Sequence, residues 1–450
     1  MDILIHNTLS RKKEVFKPLK SGKVSMYHCG PTVYNTPHIG NYRTFITNDL
    51  IRRLFEYNDY SIKQVMNITD VDDKTINGSK AEGLSLHDFT RKYEKLFLEE
   101  VESLNIKAPE HITRATEYIE SMIRLINTLL EKGFAYTASD GVYLAIDKVK
   151  NYGALANLDL SKISKERIAN DEYDKENPRD FSLWKFKTEE DGDNYWKAPF
   201  GEGRPGWHLE CSTMAMDVLG STIDIHTGGA DLIFPHHTNE IAQSECVSGK
   251  QFVNYWMHIA FVNVGNEKMA KSKGNFFKLT DLFDQSISPL AYRYWLLTAH
   301  YRSPVNFTFE SVHGAQNALI RLMKTVLGYP KNGKILTEYK GKFQECINDD
   351  LNTPEALALT WELIADARHN EADKRATIID FDRVFGLKLD TIPEPSVESI
   401  PEEILALSEV REQARKAKDW EKADALRKEI EDRGYIVKDE AHGTEVQPQY

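Results

Sequence analysis

The segment Phe234-Pro235-His236-His237-Thr238-Asn239-Glu240 sets two imidazoles ahead of a carboxylate. If a helix runs from Pro235 to about Cys246, His236 and Glu240 stand four residues apart on one face, and His237 and Glu240 three apart. Such a pair is most often a surface ion pair at a helix start. Two cysteines widen the chemistry on offer. Cys29 ends a strand-like run, and Cys211 lies in "PGWHLECSTMAMDVLG". Two thiolates with an imidazole and a carboxylate suit tetrahedral Zn²⁺. The set is scattered along the chain and lacks the His-Glu-x-x-His of a zinc hydrolase helix. Spacing does not choose between His236 and His237. Cys246 and Cys346 have no other ligand types nearby and read as small buried residues.

Three more stretches offer phosphate or nucleoside chemistry. In "TPHIGNYRTF", His38 and Gly40 fall where a strand-loop-helix unit presents its backbone and helix N-terminus to an anion. "EKMAKSKGN" gathers Lys268, Lys271 and Lys273 in one loop; this is either a solvated charged loop or a clamp on departing pyrophosphate. "HTGGADL" pairs Gly228 and Gly229 with Asp231, which allows flat approach of a base and a carboxylate for ribose, or marks a simple turn. Neither the Walker lysine pattern nor G-x-G-x-x-G is present.

These groups need a scaffold. "KVSMYHCG", the turn-rich Pro31 to Pro37, the periodic "HIGNYRTFITNDLIRRLFEYN" and "SIKQVMNITD" spell strand, loop, helix, strand, hence a parallel sheet with ligands at its carboxyl ends. "GFAYTASDGVYLAID" reads as a hairpin, and 151–204 as irregular and mixed in charge. "WMHIAFVNV" reads as one strand. Beyond Leu282 strand signals nearly vanish and a helical bundle is expected. The acidic, Pro-rich "DTIPEPSVESIPEE" reads as a linker, followed by a helical hairpin and a short β element.

The 450 residues are 41% hydrophobic and 28% charged, ordinary for a globular protein of two to four domains. No run approaches the ~18 apolar residues of a membrane span. Four separated cysteines and no secretory leader point to a reducing cytoplasm. The net charge of −12 argues mildly against nucleic acid, though it leaves room for a local basic surface.

"PHIGN" and "KMAKS" resemble the HIGH and KMSKS signatures of class I aminoacyl-tRNA synthetases. "YHCGPTVYNTPHIGN", "MNITDVDDK", "NPRDFSLWK", "GRPGWHLECS", "FPHHTNEIAQSE" and "NYWMHIAFVNVGNEKMAKSKGNF" are similar to the cysteinyl family of that class. The resemblance is strong to about residue 310 and looser beyond. It implies a Rossmann-like α/β catalytic domain over 1–310, with a parallel sheet and an insertion at about 110–222. An α-helical bundle over 311–390 for the tRNA stem, a linker over 391–403 and a small C-terminal α(+β) anticodon module over 404–450 would follow. It implies ligation of L-cysteine to tRNA-Cys using ATP, by a cytoplasmic monomer without membrane contact. One Zn²⁺ would be held by Cys29, Cys211, His236 and Glu240, and Mg²⁺ would accompany ATP. His38, Lys268 and Lys271 would be catalytic. His38, Gly40, Asn41, Gly228, Gly229, Asp231 and Lys271 would meet ATP. Thr32, Thr69 and Trp207 would line the cysteine pocket. Two positions depart from the signatures: Asn41 stands where the last His would be, and Ala270 replaces the middle Ser. The rival expectations are a paralogue that passes cysteine to an amino sugar, a zinc hydrolase, and an RNA-binding protein with structural zinc.

Overall fold

The computed structural model describes residues 1–158, 180–265, 267–269, 275–391, 402–433, 435–440 and 443–448. They form two units, Met1–Ile392 and Pro393–Tyr450. The first is built on β1 (Lys23–His28), α1 (Ile39–Tyr57), β2 (Ser61–Ile68), β3 (His111–Arg114), α2 (Trp207–Leu219), β4 (Ile223–Gly229), α3 (Thr238–Ser248) and β5 (Val253–Ile259). The five strands are parallel, in the order β5-β4-β1-β2-β3. The chain winds outward from β1 through β2 to β3, then returns to β4 on the other side. The carboxyl ends of β1 and β4 therefore flank a switch point, where open α/β sheets hold ligands.

Both faces of the sheet are covered, so the strand centres read as apolar runs without alternation. Met26, Met66, Ile225 and Met257 pack with α1 and with helices Pro289–Leu297 and Phe309–Gly328. Tyr27, Val65, Ile223 and Trp256 pack on the opposite face with Leu209 and Met214 of α2 and with helix Ile119–Glu131. Helices Thr337–Asn348, Thr353–Ala365 and Glu371–Phe385 join the first of these cores, so the expected bundle is continuous with the sheet. A buried ionic joint links them. The Asp49 carboxylate on α1 accepts from Arg293 (2.5 Å) and Arg53 (2.7 Å), and Arg293 also donates to the Phe385 carbonyl (2.7 Å).

Between β3 and β4 lies an antiparallel sheet of Ala135–Thr137, Gly141–Leu144, Phe181–Phe186 and Gly203–Pro205, in that order. The hairpin reading of 133–147 agrees with its first two strands, whereas the irregular reading of 151–204 needs correction. Phe181 to Trp184 are all buried, which erases the polar alternation that marks a half-exposed strand. The part of that stretch at 159–179 lies outside the described residues.

"WMHIAFVNV" is also two strands rather than one. The chain leaves the parallel sheet after Ile259 and enters a three-stranded sheet at Val262–Val264, which pairs with Glu267–Lys268 and Val305–Phe307. Arg43, buried in α1, binds this crossover. Its guanidinium donates to the carbonyls of Phe261 (2.8 Å), His300 (3.1 Å), Tyr301 (3.5 Å) and Ser303 (2.6 Å).

The second unit has helices Glu402–Lys416 and Trp420–Asp432 and a hairpin of Tyr435–Glu440 with Gly443–Pro448. Its core is small: Ile404, Ile430, Val437 and Val446. Among the described residues no helix is long and apolar enough to cross a membrane.

Candidate active site and metal centre

Four donors come from three elements at the switch point. Cys29 follows β1 directly, Cys211 lies in α2, His236 precedes α3, and Glu240 stands in the first turn of α3. The approach to α3 differs from the expected start at Pro235. Phe234 is extended (φ −140°, ψ 132°), as a residue before proline prefers, and a wide turn over Ile233–His237 leads into the helix at Thr238. His236 still reaches Glu240, with Nε2 3.1 Å from Oε1.

The donors converge. The Cys29 and Cys211 Sγ atoms are 3.8 Å apart, close to the ~3.8 Å that two Zn–S bonds of about 2.3 Å at a tetrahedral angle require. Cys29 Sγ lies 3.9 Å from Glu240 Oε1, and all four donor atoms fall within 4.8 Å of one another. Nε2 of His236 is buried beside the Glu240 carboxylate and the two sulfurs, with no well-formed hydrogen bond to any of them. A nitrogen held among sulfur and carboxylate in this way is the arrangement a cation would satisfy. A second set, Cys29, His226, His237 and Glu240, meets the same distance criterion.

The electrostatics favour a bound cation. The hydrogen bond from Cys29, acting against burial and aided by His236, lowers the Cys211 thiol to about 6. Burial and the neighbouring Cys211 push Cys29 well up. At Glu240, burial is outweighed by His226 and His236, which bring its carboxyl down to about 2. At His236, burial is outweighed by Cys211 and Glu240, which lift the ring to about 10. These shifts favour a proton on Cys29 and an extra one on His236, beside two anions, and a cation could take the place of both.

Above this floor opens a cleft of about 340 Å³ lined by, among others, Cys29, Thr32, His38, Asn41, Trp207 and Asp231. His38 caps α1, and its N–H donates to the Asn41 side chain (3.1 Å). Gly228 leaves room for His237, whose Cε1 would lie 2.6 Å from an added Cβ.

The profile described as "tRNA synthetases class I (C) catalytic domain" matches residues 15–317. The profiles described as "DALR domain" and "Cysteinyl-tRNA ligase anticodon binding domain" match 342–385 and 398–446. The cysteine–tRNA ligase of Protochlamydia amoebophila is 43% identical over 466 residues, covering 99% of this chain and 98% of that protein. That of Methanosarcina acetivorans is 44% identical over 465 residues, covering 98% of each. The chain belongs to the class I cysteinyl-tRNA synthetase family. Its fold is also that of more distant synthetases. The Mycobacterium tuberculosis methionyl-tRNA synthetase superposes with TM-score 0.56 at 15% identity over 86% of this chain and 93% of that one. Agrobacterium radiobacter K84 LeuRS gives 0.58 at 10% identity over 84% and 85%.

The expected synthetase residues among those described fall as follows. Cys29, Thr32, His38, Asn41, Trp207, Cys211, Gly229, Asp231 and His236 line the cleft. Glu240 lies beneath it, wholly buried, and Gly228 backs onto His237. Gly40 lies in the first turn of α1, where an added Cβ would come within 2.8 Å of the His38 ring. Trp207 is 43% exposed, with its ring 4.2 Å from that of His236, so it roofs the donor cluster and is not core packing. Thr69 is the one pocket residue turned away. It is buried, and its hydroxyl donates to Glu210 (2.8 Å). Lys268 lies in a strand paired with Asn263; Lys271 and Ala270 lie outside the described residues.

Three further histidines, His208, His226 and His258, to which the motifs assign no role, support the donor cluster. His208 Nδ1 is 2.9 Å from His236 Nδ1, and His226 Nε2 is 3.0 Å from Glu240 Oε2. His258 Nε2 is 2.7 Å from His237 Nδ1 and its other nitrogen is 2.8 Å from the Thr8 hydroxyl. The available signal was one His in each of "IDIHTGG" and "VNYWMHI", strands otherwise suited to full burial, where a polar side chain must find a partner.

Proposed function

We propose that this chain activates L-cysteine with ATP and transfers it to the 3′ end of tRNA-Cys, with zinc selecting the substrate. The observation that carries the reading is the convergence of Cys29, Cys211, His236 and Glu240 at the switch-point cleft of a cysteinyl-tRNA synthetase family member. In the first step a cysteine carboxylate oxygen bonds to the α-phosphorus as the bond to pyrophosphate breaks. In the second, a terminal ribose hydroxyl bonds to the acyl carbon and AMP leaves.

Cys29, Cys211, His236 and Glu240 would hold Zn²⁺, and that ion supplies a Lewis acid that a thiolate ligates well and a neutral serine hydroxyl poorly. Discrimination by size alone gains ~1–3 kcal/mol, too little to separate these two amino acids faithfully. Trp207 would close the pocket over the side chain, with Thr32 beside it. Thr69 would support the pocket through Glu210. His38, at the N-terminus of α1, would bind phosphate oxygens with Gly40 beside it. Asn41 serves by capping, which needs no charge and makes it a sound replacement for a histidine. Gly228 and Gly229 would admit the adenosine and Asp231 its ribose. Lys268 and Lys271 would stabilise departing pyrophosphate, and Mg²⁺ would accompany ATP. Residues 1–310 would carry the chemistry, 311–390 the tRNA stem contacts and 404–450 the anticodon contacts. The protein would act as a cytoplasmic monomer.

The test is ATP–pyrophosphate exchange with cysteine or serine, followed by charging of tRNA-Cys against an amino-sugar acceptor. Exchange should require cysteine, and tRNA should be the acceptor. Cys211→Ser should raise the KM for cysteine at least ~tenfold, about 1.4 kcal/mol, and release zinc while leaving the KM for ATP near its starting value. Equal losses for both substrates would remove the metal from substrate selection. Cysteine passed only to the amino sugar would instead favour the paralogue.

A further inference from the structure

A second cavity, of about 910 Å³, shares no lining residue with the cleft. The two lie on opposite sides of α3. Thr238, Ile241, Ala242 and Glu245 line the cavity at helical spacing, while Glu240 points the other way into the donor set. The cavity's apolar lining includes Leu9, Phe134, Leu155, Val253 and Trp256. Its exposed positions carry Lys132, Lys148, Lys150 and Lys250. Glu245 is the only acidic residue among the described residues that line it, and its carboxylate already accepts from the Phe252 N–H at 3.1 Å. Lys132 and Lys148 donate to the neutral carbonyls of Val247 (2.6 Å) and Gly133 (2.8 Å), and neither forms an ion pair among the described residues. A chain of net charge −12 thus gathers a positive rim around an apolar hollow.

We propose that this cavity binds a small amphipathic monoanion, its aliphatic or aromatic body on the Trp256 side and its carboxylate, sulfonate or phosphate among the lysines. The volume lies within the roughly 300–1,000 Å³ of small-molecule sites. A polynucleotide backbone would gain from the lysines but nothing from the apolar lining. The indole of Trp256 connects the site to the metal centre, because it stacks on His226 at 4.6 Å and lies 4.9 Å from His237.

The test uses the full chain and the fluorescent probe 8-anilinonaphthalene-1-sulfonate, with decanoate as competitor. One saturable probe site is expected, displaced by decanoate and at least ~tenfold less well by decanol, about 1.4 kcal/mol. The double variant Lys150→Glu/Lys250→Glu, and separately Ile241→Trp, which fills the hollow, should each weaken decanoate at least ~tenfold. Both should retain cysteine-dependent exchange, which shows that they fold. Three results would each overturn the proposal: equal binding of decanol and decanoate, unchanged binding in both variants, or displacement by phosphatidylglycerol vesicles or an RNA duplex but not by monomeric decanoate.

Discussion

At the residue scale, two protons should leave for each zinc ion taken up. Cys211 is already a thiolate above about 6 and Glu240 a carboxylate above about 2. Cys29, pushed up by burial, and His236, lifted to about 10, each hold a proton that a metal must displace. Zinc affinity should therefore rise with pH between about 7 and 9, steepest where both groups are still protonated. Calorimetry of zinc binding in buffers of different ionisation enthalpy would read about two protons; none released would mean that the ligands were deprotonated beforehand. Thr69 yields a contrasting expectation. Thr69→Val removes the donor to Glu210, whose carboxyl is held well above the ordinary range by burial and the neighbouring Cys211. It should cost ~1–3 kcal/mol of stability in denaturant unfolding and leave the KM for cysteine little changed. A large KM change with unaltered stability would put Thr69 in direct contact with substrate.

At the element scale, the joint between α1 and the helical bundle should show its own pH dependence. Burial disfavours the Asp49 carboxylate, but Arg293, Arg53 and the Lys107 N–H outweigh it and hold its pKa below the usual range. A lowered folded pKa contributes stability above the unfolded value of ~3.9, and that stability is lost as pH falls through the folded value. Asp49→Asn should destabilise by ~3–5 kcal/mol at pH 7, since two buried guanidinium groups lose their counter-charge. The gap to the parent should narrow below about pH 4, where the unfolded chain's carboxyl takes up a proton that the folded one still refuses, and should close once pH passes the lower folded value. A gap constant from pH 7 to 3, measured by urea unfolding, would show that the charge of Asp49 contributes nothing. This scale also shows what sequence pattern could reveal. The β1-α1-β2 unit was legible because strand, helix and turn signals agree with the parallel fold. Phe181–Phe186 was not, because burial on both faces removes its period. The donor set was visible as residue types but not as a constellation. Cys29 and Cys211 lie in segments that only the crossover of the sheet brings together, and the supporting histidines sit inside strands that read as plain core.

At the scale of the whole molecule, the two units invite separation. The first holds the cleft and every donor, and the second has a core of its own. Deleting 393–450 should leave cysteine-dependent exchange within a few fold and raise the KM for tRNA on the order of tenfold or more, about 1.4 kcal/mol. Loss of exchange in the soluble truncated chain would mean that the second unit is needed to shape the cleft.

Arg43 bears on how freely this sequence can drift. What it grips at 261, 300, 301 and 303 is main chain, and any residue at those four places offers the same oxygen. The partners are thus interchangeable, whereas the gripping side chain is not: lysine brings one nitrogen where the guanidinium fork brings three. The crossover toward Lys268 is in effect anchored by one irreplaceable amino acid and four anonymous ones.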